Sequence, residues 1–312
     1  MRVVSLLPAA TEIVASLEKL DSLVGVSHEC DYPPEVNTRP RITHCSIHGA
    51  GLASKDIDRW VTETLTSKGT LYTLDEALLR DLRPEIILTQ RLCDVCAVDY
   101  GSVQALARTL PGPPHVVNLE PNLLADIFEN IRLVGQLLGV ADRAQMVIAE
   151  LKERVDRVKA RVSQEKNRPR CFLMEWIDPP YCSGHWGPEL VEMAGGIEPL
   201  GLKGKDSVRI PWERVVETRP EVIVLACCGN DVARTREDLP ILAGYPGWQE
   251  LPAVTSGRVW AVNGSAYFSR PGPRIVDSLE ILAEILHPEL FRGSFPDRGA
   301  TPAVYRPATR ES

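Results

Sequence analysis

The stretch Leu82-Arg83-Pro84-Glu85-Ile86-Ile87-Leu88 is echoed further along the chain by Thr218-Arg219-Pro220-Glu221-Val222-Ile223-Val224. Each copy reads as a helix end, a proline-containing turn and a short apolar strand. Proline biases the residue before it away from helix, and an unbroken run of branched apolar residues suits a strand covered on both faces. Around the two copies, short apolar runs alternate with amphipathic segments of helix length. Strands are predicted at 3–7, 23–26, 86–89, 116–118, 171–175, 222–226 and 259–262. Helices are predicted at 57–65, 75–82, 123–138, 189–194 and 274–286. This alternation belongs to the α/β class, with mainly parallel sheets covered by helices.

A different pattern separates the copies. Residues 142–164 contain no Gly or Pro and carry Met146, Ile148, Leu151, Val155, Val158 and Val162 among mostly charged neighbours. That is one long helix with a narrow apolar stripe. The predicted organisation is an α/β lobe at 1–140, a connecting helix at 141–166, a second α/β lobe at 167–290 and a loosely packed tail at 291–312. Two Rossmann-like lobes joined by one helix leave a natural ligand cleft between them, because open α/β sheets bind ligands beyond the carboxyl ends of their strands.

Composition narrows the function. The chain has 312 residues, 44% apolar and 25% charged, with 35 Lys and Arg against 42 Asp and Glu for a net charge of −7. A mildly acidic chain without a basic stripe gives no case for nucleic acid. No apolar run approaches the roughly 18 residues needed to span a bilayer. There is no Gly-x-x-x-x-Gly-Lys-Ser/Thr loop and no Gly-x-Gly-x-x-Gly after a strand, so nucleotide binding has no support. The absence of a Gly-x-Ser-x-Gly elbow removes the commonest α/β-hydrolase route. Residues 3–7 read as a strand and not as a signal-peptide core, since Pro8 and Glu12 interrupt the run. Eight unevenly placed cysteines are too few for a disulfide scaffold. The expectation is a cytoplasmic protein; the alternative is a periplasmic or cell-surface one whose export signal is not in this sequence.

The chemically distinctive side chains follow the predicted strands. His28, Glu29 and Cys30 follow the second strand, and Gln90, Cys93 and Cys96 follow the third. Glu175, Trp176 and Asp178 follow the fifth and lead to His185 and Trp186. Cys228 and Tyr267 follow the last two. Convergence on one sheet edge is what a binding site requires. Cys93 and Cys96 admit three readings: metal ligands with His28, a redox dithiol, or two small buried residues near a turn. The adjacent Cys227 and Cys228 point in different directions if strand-like, so at most one reaches a site. Trp176 and Trp186 are candidates for a flat apolar wall.

With these residues assembled, the chain resembles the helical-backbone substrate-binding proteins of ABC importers for cobalamin and ferric siderophores. The resemblance rests on Ser5-Leu6-Leu7-Pro8-Ala9-Ala10-Thr11-Glu12, Leu23-Val24-Gly25-Val26, Arg83-Pro84-Glu85-Ile86-Ile87, the long central helix and Glu192-Met193-Ala194-Gly195-Gly196. It spans about residues 1–290, and loops 27–33, 90–98 and 175–186 resemble a cobalamin-binding branch. It implies a non-catalytic protein holding a cobalamin-like corrinoid or another metal chelate, with the named loops as contacts. A thiolate or imidazole from Cys93, Cys96 or His28 would approach the metal. The resemblance also implies an ABC permease as partner, docked through one exposed glutamate per lobe, with Glu76 in the first and Glu189 or Glu192 in the second. The competing expectation is a metal- or thiol-dependent enzyme on the same fold, using Cys93, Cys96 and His28 with a bound transition metal.

Overall fold

A computed structural model describes residues 1–45, 52–91 and 100–303. The chain divides into two compact units, the first formed by 1–52, 56–151 and 271–273 and the second by 53–55, 152–270 and 274–312.

In the first unit the strands are β1 (Val3–Ser5), β2 (Leu23–Val26), β3 (Thr43–Cys45), β4 (Tyr72–Leu74), β5 (Ile86–Thr89) and β6 (His115–Asn118). A four-stranded parallel sheet runs β2-β1-β5-β6, while β3 and β4 form a small antiparallel pair. Helices α1 (Pro8–Ser16), α2 (Ser54–Lys68), α3 (Glu76–Leu82), α4 (Tyr100–Thr109) and α5 (Leu124–Leu137) complete it. Val4, Leu6, Ile42, Leu79 and Ile87 form a buried core between sheet and helices.

Helix α6 (Ala141–Val162) runs from the first unit into the second. Its buried residues are Ala144, Val147, Ile148, Leu151, Val155 and Val158, spaced three or four apart except for one adjacent pair. Met146, assigned to the apolar stripe from the sequence, faces outward at 55% exposure, and Val147 takes its place. Residues 146 and 148 lie about 200° apart on a helix of 3.6 residues per turn, so one face cannot hold both.

The second unit contains β7 (Cys171–Trp176), β8 (Tyr181–Cys182), β9 (Gly184–His185), β10 (Leu202–Lys203), β11 (Val222–Leu225), β12 (Val259–Ala261) and β13 (Thr301–Pro302). Its main sheet runs β13-β12-β11-β7-β8, parallel through the three central strands and antiparallel at both edges; β9 and β10 pair separately. Its helices are α7 (Gly187–Met193), α8 (Trp212–Thr218), α9 (Val232–Glu237), α10 (Leu239–Ala243), α11 (Pro252–Thr255), α12 (Ile275–Leu286) and α13 (Pro288–Phe291). Phe172, Met174, Trp212, Leu225 and Trp248 anchor its core.

The repeated Arg-Pro-Glu phrase has a physical basis that is the same in both units. Arg83 and Arg219 end α3 and α8 in the left-handed region, at φ 43° and 47°. The following glutamate then reaches across to the residue before the neighbouring strand. Glu85 accepts from the backbone N–H of Arg2 at 2.6 Å, and Glu221 accepts from that of Arg170 at 3.0 Å. The carbonyls of Arg2 and Arg170 in turn accept from the N–H groups of Glu85 and Ile86, and of Glu221 and Val222. The arginine side chains finish the clamp, Arg2 Nε on the Leu82 carbonyl and Arg170 Nε on the Thr218 carbonyl. Each copy therefore sets the register of two parallel strands.

A left-handed turn strains any residue with a Cβ by about 1 kcal/mol. Arg219 is exposed, and its carbonyl serves the clamp whatever the side chain. Arg219→Gly is expected to raise stability by about 0.5–1 kcal/mol in urea denaturation, while Arg219→Val lowers it.

The described part of the tail, 291–303, makes specific contacts where loose packing was expected. Phe291 is buried, Arg298 is tied into α12, and Thr301 and Pro302 add an antiparallel strand to β12. Gly- and Pro-rich composition concealed contacts that depend on single side chains and two residues of strand.

Candidate functional site

In the first unit, the loop after β2 is organised by hydrogen bonds to its own backbone. The Ser27 hydroxyl accepts from Glu29 N–H at 3.1 Å, and Arg41 donates to the carbonyls of Ser27 and Cys30. His28 is locked by Thr43, whose hydroxyl accepts from the His28 backbone N–H at 3.0 Å and lies 2.7 Å from Nδ1. One hydroxyl thus bridges the backbone and the ring of His28. Nε2 faces Glu29, 3.2 Å from Oε1.

Cys30 turns the other way. At 1% exposure its Sγ lies 3.1 Å from the Thr11 hydroxyl, which donates to Ser5, which donates to the Leu7 carbonyl. That chain anchors the Cys30 side chain inside the first unit. Gln90, at 6% exposure, follows β5, and its Oε1 has no hydrogen-bond partner among the described residues. Cys93 and Cys96 lie outside the described residues. Among those described, no group of three or more His, Cys, Asp or Glu is arranged to hold a metal ion.

In the second unit, Glu175, His185 and Trp186 come together around the start of α7. The Glu175 carboxylate accepts from Gly184 N–H at 3.1 Å and from the Ser207 hydroxyl. Burial pushes this carboxyl up to about 7 against the pull of both donors. His185 takes a positive φ of 48° and places Nε2 3.2 Å from Asp206; burial draws its pKa down, opposed by that carboxylate. Trp186 is buried at 8% exposure, and its indole N–H donates to the Phe268 carbonyl at 3.0 Å. That bond ties the indole offered as part of a flat apolar wall to the neighbouring turn.

Trp176 is half-buried, with its indole N–H on the Asp178 carbonyl at 3.1 Å. Asp178 itself faces the Tyr245 hydroxyl, whose pKa rises to about 12 through burial and the charge of Asp178. Tyr267 lies in the short turn Gly264–Phe268 with the Arg274 guanidinium 5.4 Å over its ring. The adjacent cysteines lie past the end of β11 and diverge there: Cys227 is buried with its pKa raised to about 12 by desolvation, and Cys228, in the following turn, is exposed.

The three glutamates considered for docking occupy first or last turns of helices. Glu76 is exposed at the start of α3, Glu189 is half-buried in the first turn of α7, and exposed Glu192 pairs with Lys203 at 2.8 Å. Sequence reasoning missed Thr43, Glu198 and Ser207, which hold the proposed site loops in place. Nothing marks them locally, because each acts on a residue distant in sequence.

No helix among the described residues is long and apolar enough to cross a membrane. The chain is 23% identical over 286 residues to a vitamin B12-binding protein of Vibrio cholerae, covering 89% of this chain and 86% of that protein. It is 21% identical over 296 residues to an uncharacterized ABC transporter substrate-binding lipoprotein, YvrC, of Bacillus subtilis, covering 93% and 81%. The fold is similar to that of the periplasmic heme-binding protein RhuT from Roseiflexus sp. RS-1, with a TM-score of 0.68 at 19% identity over 92% of this chain and 98% of that one. A lipoprotein and a periplasmic protein among these relatives lend no support to the cytoplasmic placement expected from the sequence. Residues 3–265 match the model of one family, and on that match this chain belongs to the periplasmic binding proteins, which hold a substrate without catalysing its conversion.

Proposed function

We propose that this chain is the substrate-binding partner of an ABC permease and that its substrate is a cobalamin-like corrinoid. The observation that carries the reading is the match to a vitamin B12-binding protein along 89% of the chain. The loops at the carboxyl ends of the strands support it. His28, Glu29, Cys228 and Tyr267 keep at least part of their surface exposed there, as contacts to a large flat chelate require. Gln90, His185 and the segment with Cys93 and Cys96 adjoin these loops in sequence. In this reading Glu175, Trp176, Asp178, Trp186 and Cys30 shape the site from within. Work outside the cytoplasm, at the periplasmic or cell surface, is part of the same proposal, as is docking through Glu76 and Glu189 or Glu192.

Calorimetric titration with cyanocobalamin tests it, with haemin and a ferric hydroxamate titrated alongside. The expected result is a corrinoid Kd of about micromolar or tighter. An imidazole or thiolate at the cobalt would also shift the visible spectrum of aquocobalamin, and His28→Ala would abolish that shift if His28 is the donor. Binding of haemin or the hydroxamate with no corrinoid binding overturns the proposal.

A further inference from the structure

The segment 40–43 staples the loop that follows β2. Ile42 N–H donates to the Val26 carbonyl at 2.8 Å and Val26 N–H to the Pro40 carbonyl at 2.9 Å, so the segment runs beside the end of that strand. Alternation along extended chain turns Ile42 into the core and leaves Arg41 and Thr43 on the other side. Arg41 takes the carbonyls of Ser27 and Cys30, and Thr43 takes His28. Thr43 is itself fixed: it opens β3 opposite Leu74 of β4, it is 1% exposed, and Asp75 N–H closes on the neighbouring Ile42 carbonyl at 2.8 Å.

An imidazole carries two distinct ring nitrogens, and the Thr43 hydroxyl occupies one of them. Its oxygen lies 3.0 Å from the His28 backbone nitrogen and 2.7 Å from Nδ1, so turning the ring over breaks a bond to a group that the backbone keeps in place. The Tyr72 ring, 5.4 Å from the imidazole and tilted by 46°, limits its swing. Nε2 is left toward Glu29, 3.2 Å from Oε1 on a partly exposed side chain. Cys30, the soft alternative in the same loop, is turned away to the Thr11 hydroxyl at 3.1 Å.

We propose that His28 is the axial donor to the metal of the substrate through Nε2, and that Thr43 is the positioning residue that commits the ring to that nitrogen. The inference rests on the corrinoid reading above. A corrin already supplies the equatorial nitrogens of its cobalt, so a single protein donor suffices. The Thr43 oxygen has two lone pairs, enough to accept the backbone N–H and a proton on Nδ1 together, and that tautomer leaves the Nε2 lone pair for a metal. The step is a ligand exchange: the bond from cobalt to water breaks, a bond from cobalt to Nε2 forms, the water leaves, and no electron is transferred. Glu29 touches the atom the metal needs and yields to it; Thr43 touches the other and stays.

Parallel titrations with aquocobalamin and cyanocobalamin test it, because cyanide blocks the exchangeable position and the ratio of the two affinities isolates coordination. In the native protein the aquocobalamin bands shift on binding. Thr43→Val, which matches the shape without the hydroxyl, is expected to lose most of that shift and to weaken aquocobalamin about 10–100-fold more than cyanocobalamin. Thr43→Ser, which keeps the hydroxyl, restores both. A native protein that binds cyanocobalamin but leaves the aquocobalamin spectrum unchanged overturns the inference and spares the corrinoid reading, as does a Thr43→Val variant that keeps the native shift. Should neither corrinoid bind, the reading fails and the inference with it. If Thr43→Val does not fold, 15N resonances of His28 in the native protein decide: displacement of Nε2 by aquocobalamin supports the inference, and displacement of Nδ1 instead, or of neither, ends it.

Discussion

Gly264→Ala is expected to destabilise the second unit by about 3 kcal/mol or more, at the upper end for inserting a methyl group into a packed interior. The added Cβ would stand 2.1 Å from the Cys227 carbonyl oxygen and 2.8 Å from the carbonyl carbons of Ala226 and Cys227. These are backbone atoms, so no rotamer change relieves the overlap. Nor can the chain at Cys227 retreat, because Cys228 N–H is bonded to the Glu175 carbonyl, Asn230 N–H to the Cys227 carbonyl and Ser265 N–H to the Asn230 carbonyl. Moving one strand end breaks all three. Gly229→Ala provides the contrast: its φ of 74° costs about 1 kcal/mol, and its surroundings are open. Urea denaturation of both variants measures the difference, and a loss below about 1 kcal/mol at Gly264 would show that the turn gives way.

Glu280→Ala is the second large effect, expected at about 3–5 kcal/mol. Glu280 is 5% exposed on α12 and accepts from Arg154 Nε at 2.9 Å, Arg154 Nη2 at 2.6 Å and Arg298 Nη2 at 2.7 Å. Asp277, one turn earlier, accepts from the same two guanidiniums. Two positive and two negative groups balance in a partly buried cluster. Burial opposes the Arg154 charge, but the bonds and charges of Glu280 and Asp277 outweigh it and hold its pKa above the usual range. Removing Glu280 leaves two guanidiniums sharing one carboxylate, with three donors unmet. The double variant Glu280→Ala/Arg298→Ala is expected to lose less than the sum of its single variants in a denaturation cycle, because the second change removes a charge the first has stranded. Strict additivity would show that the pair does not interact.

The seven principal strands were legible because a parallel strand buried on both faces must be an apolar run, as Ile86-Ile87-Leu88 and Val222-Ile223-Val224 are. Helix α6 was legible from its period. The strands β8, β9, β10 and β13 were not, since two residues carry no pattern and owe their pairing to neighbours far along the chain. The same division holds at the site. Which loops carry distinctive chemistry followed from their position after strands; which way each side chain turns did not. His28 and Cys30 are two residues apart in one loop, yet one faces Glu29 and the other enters the Thr11–Ser5 chain. Trp186 likewise has a composition suited to a platform and an indole N–H that draws it inward.

The short strand at Thr301–Pro302 also decides how the second unit meets its own kind. Its inward bonding is completed by Ala303 N–H on the Val259 carbonyl. The residue turned outward is a proline, which has no N–H to offer, and its carbonyl is already taken by Arg236 at 2.9 Å. Among the described residues, a stray strand approaching this margin meets no N–H at Pro302 and a carbonyl already bonded to Arg236, so this stretch of the edge is a poor template for aggregation.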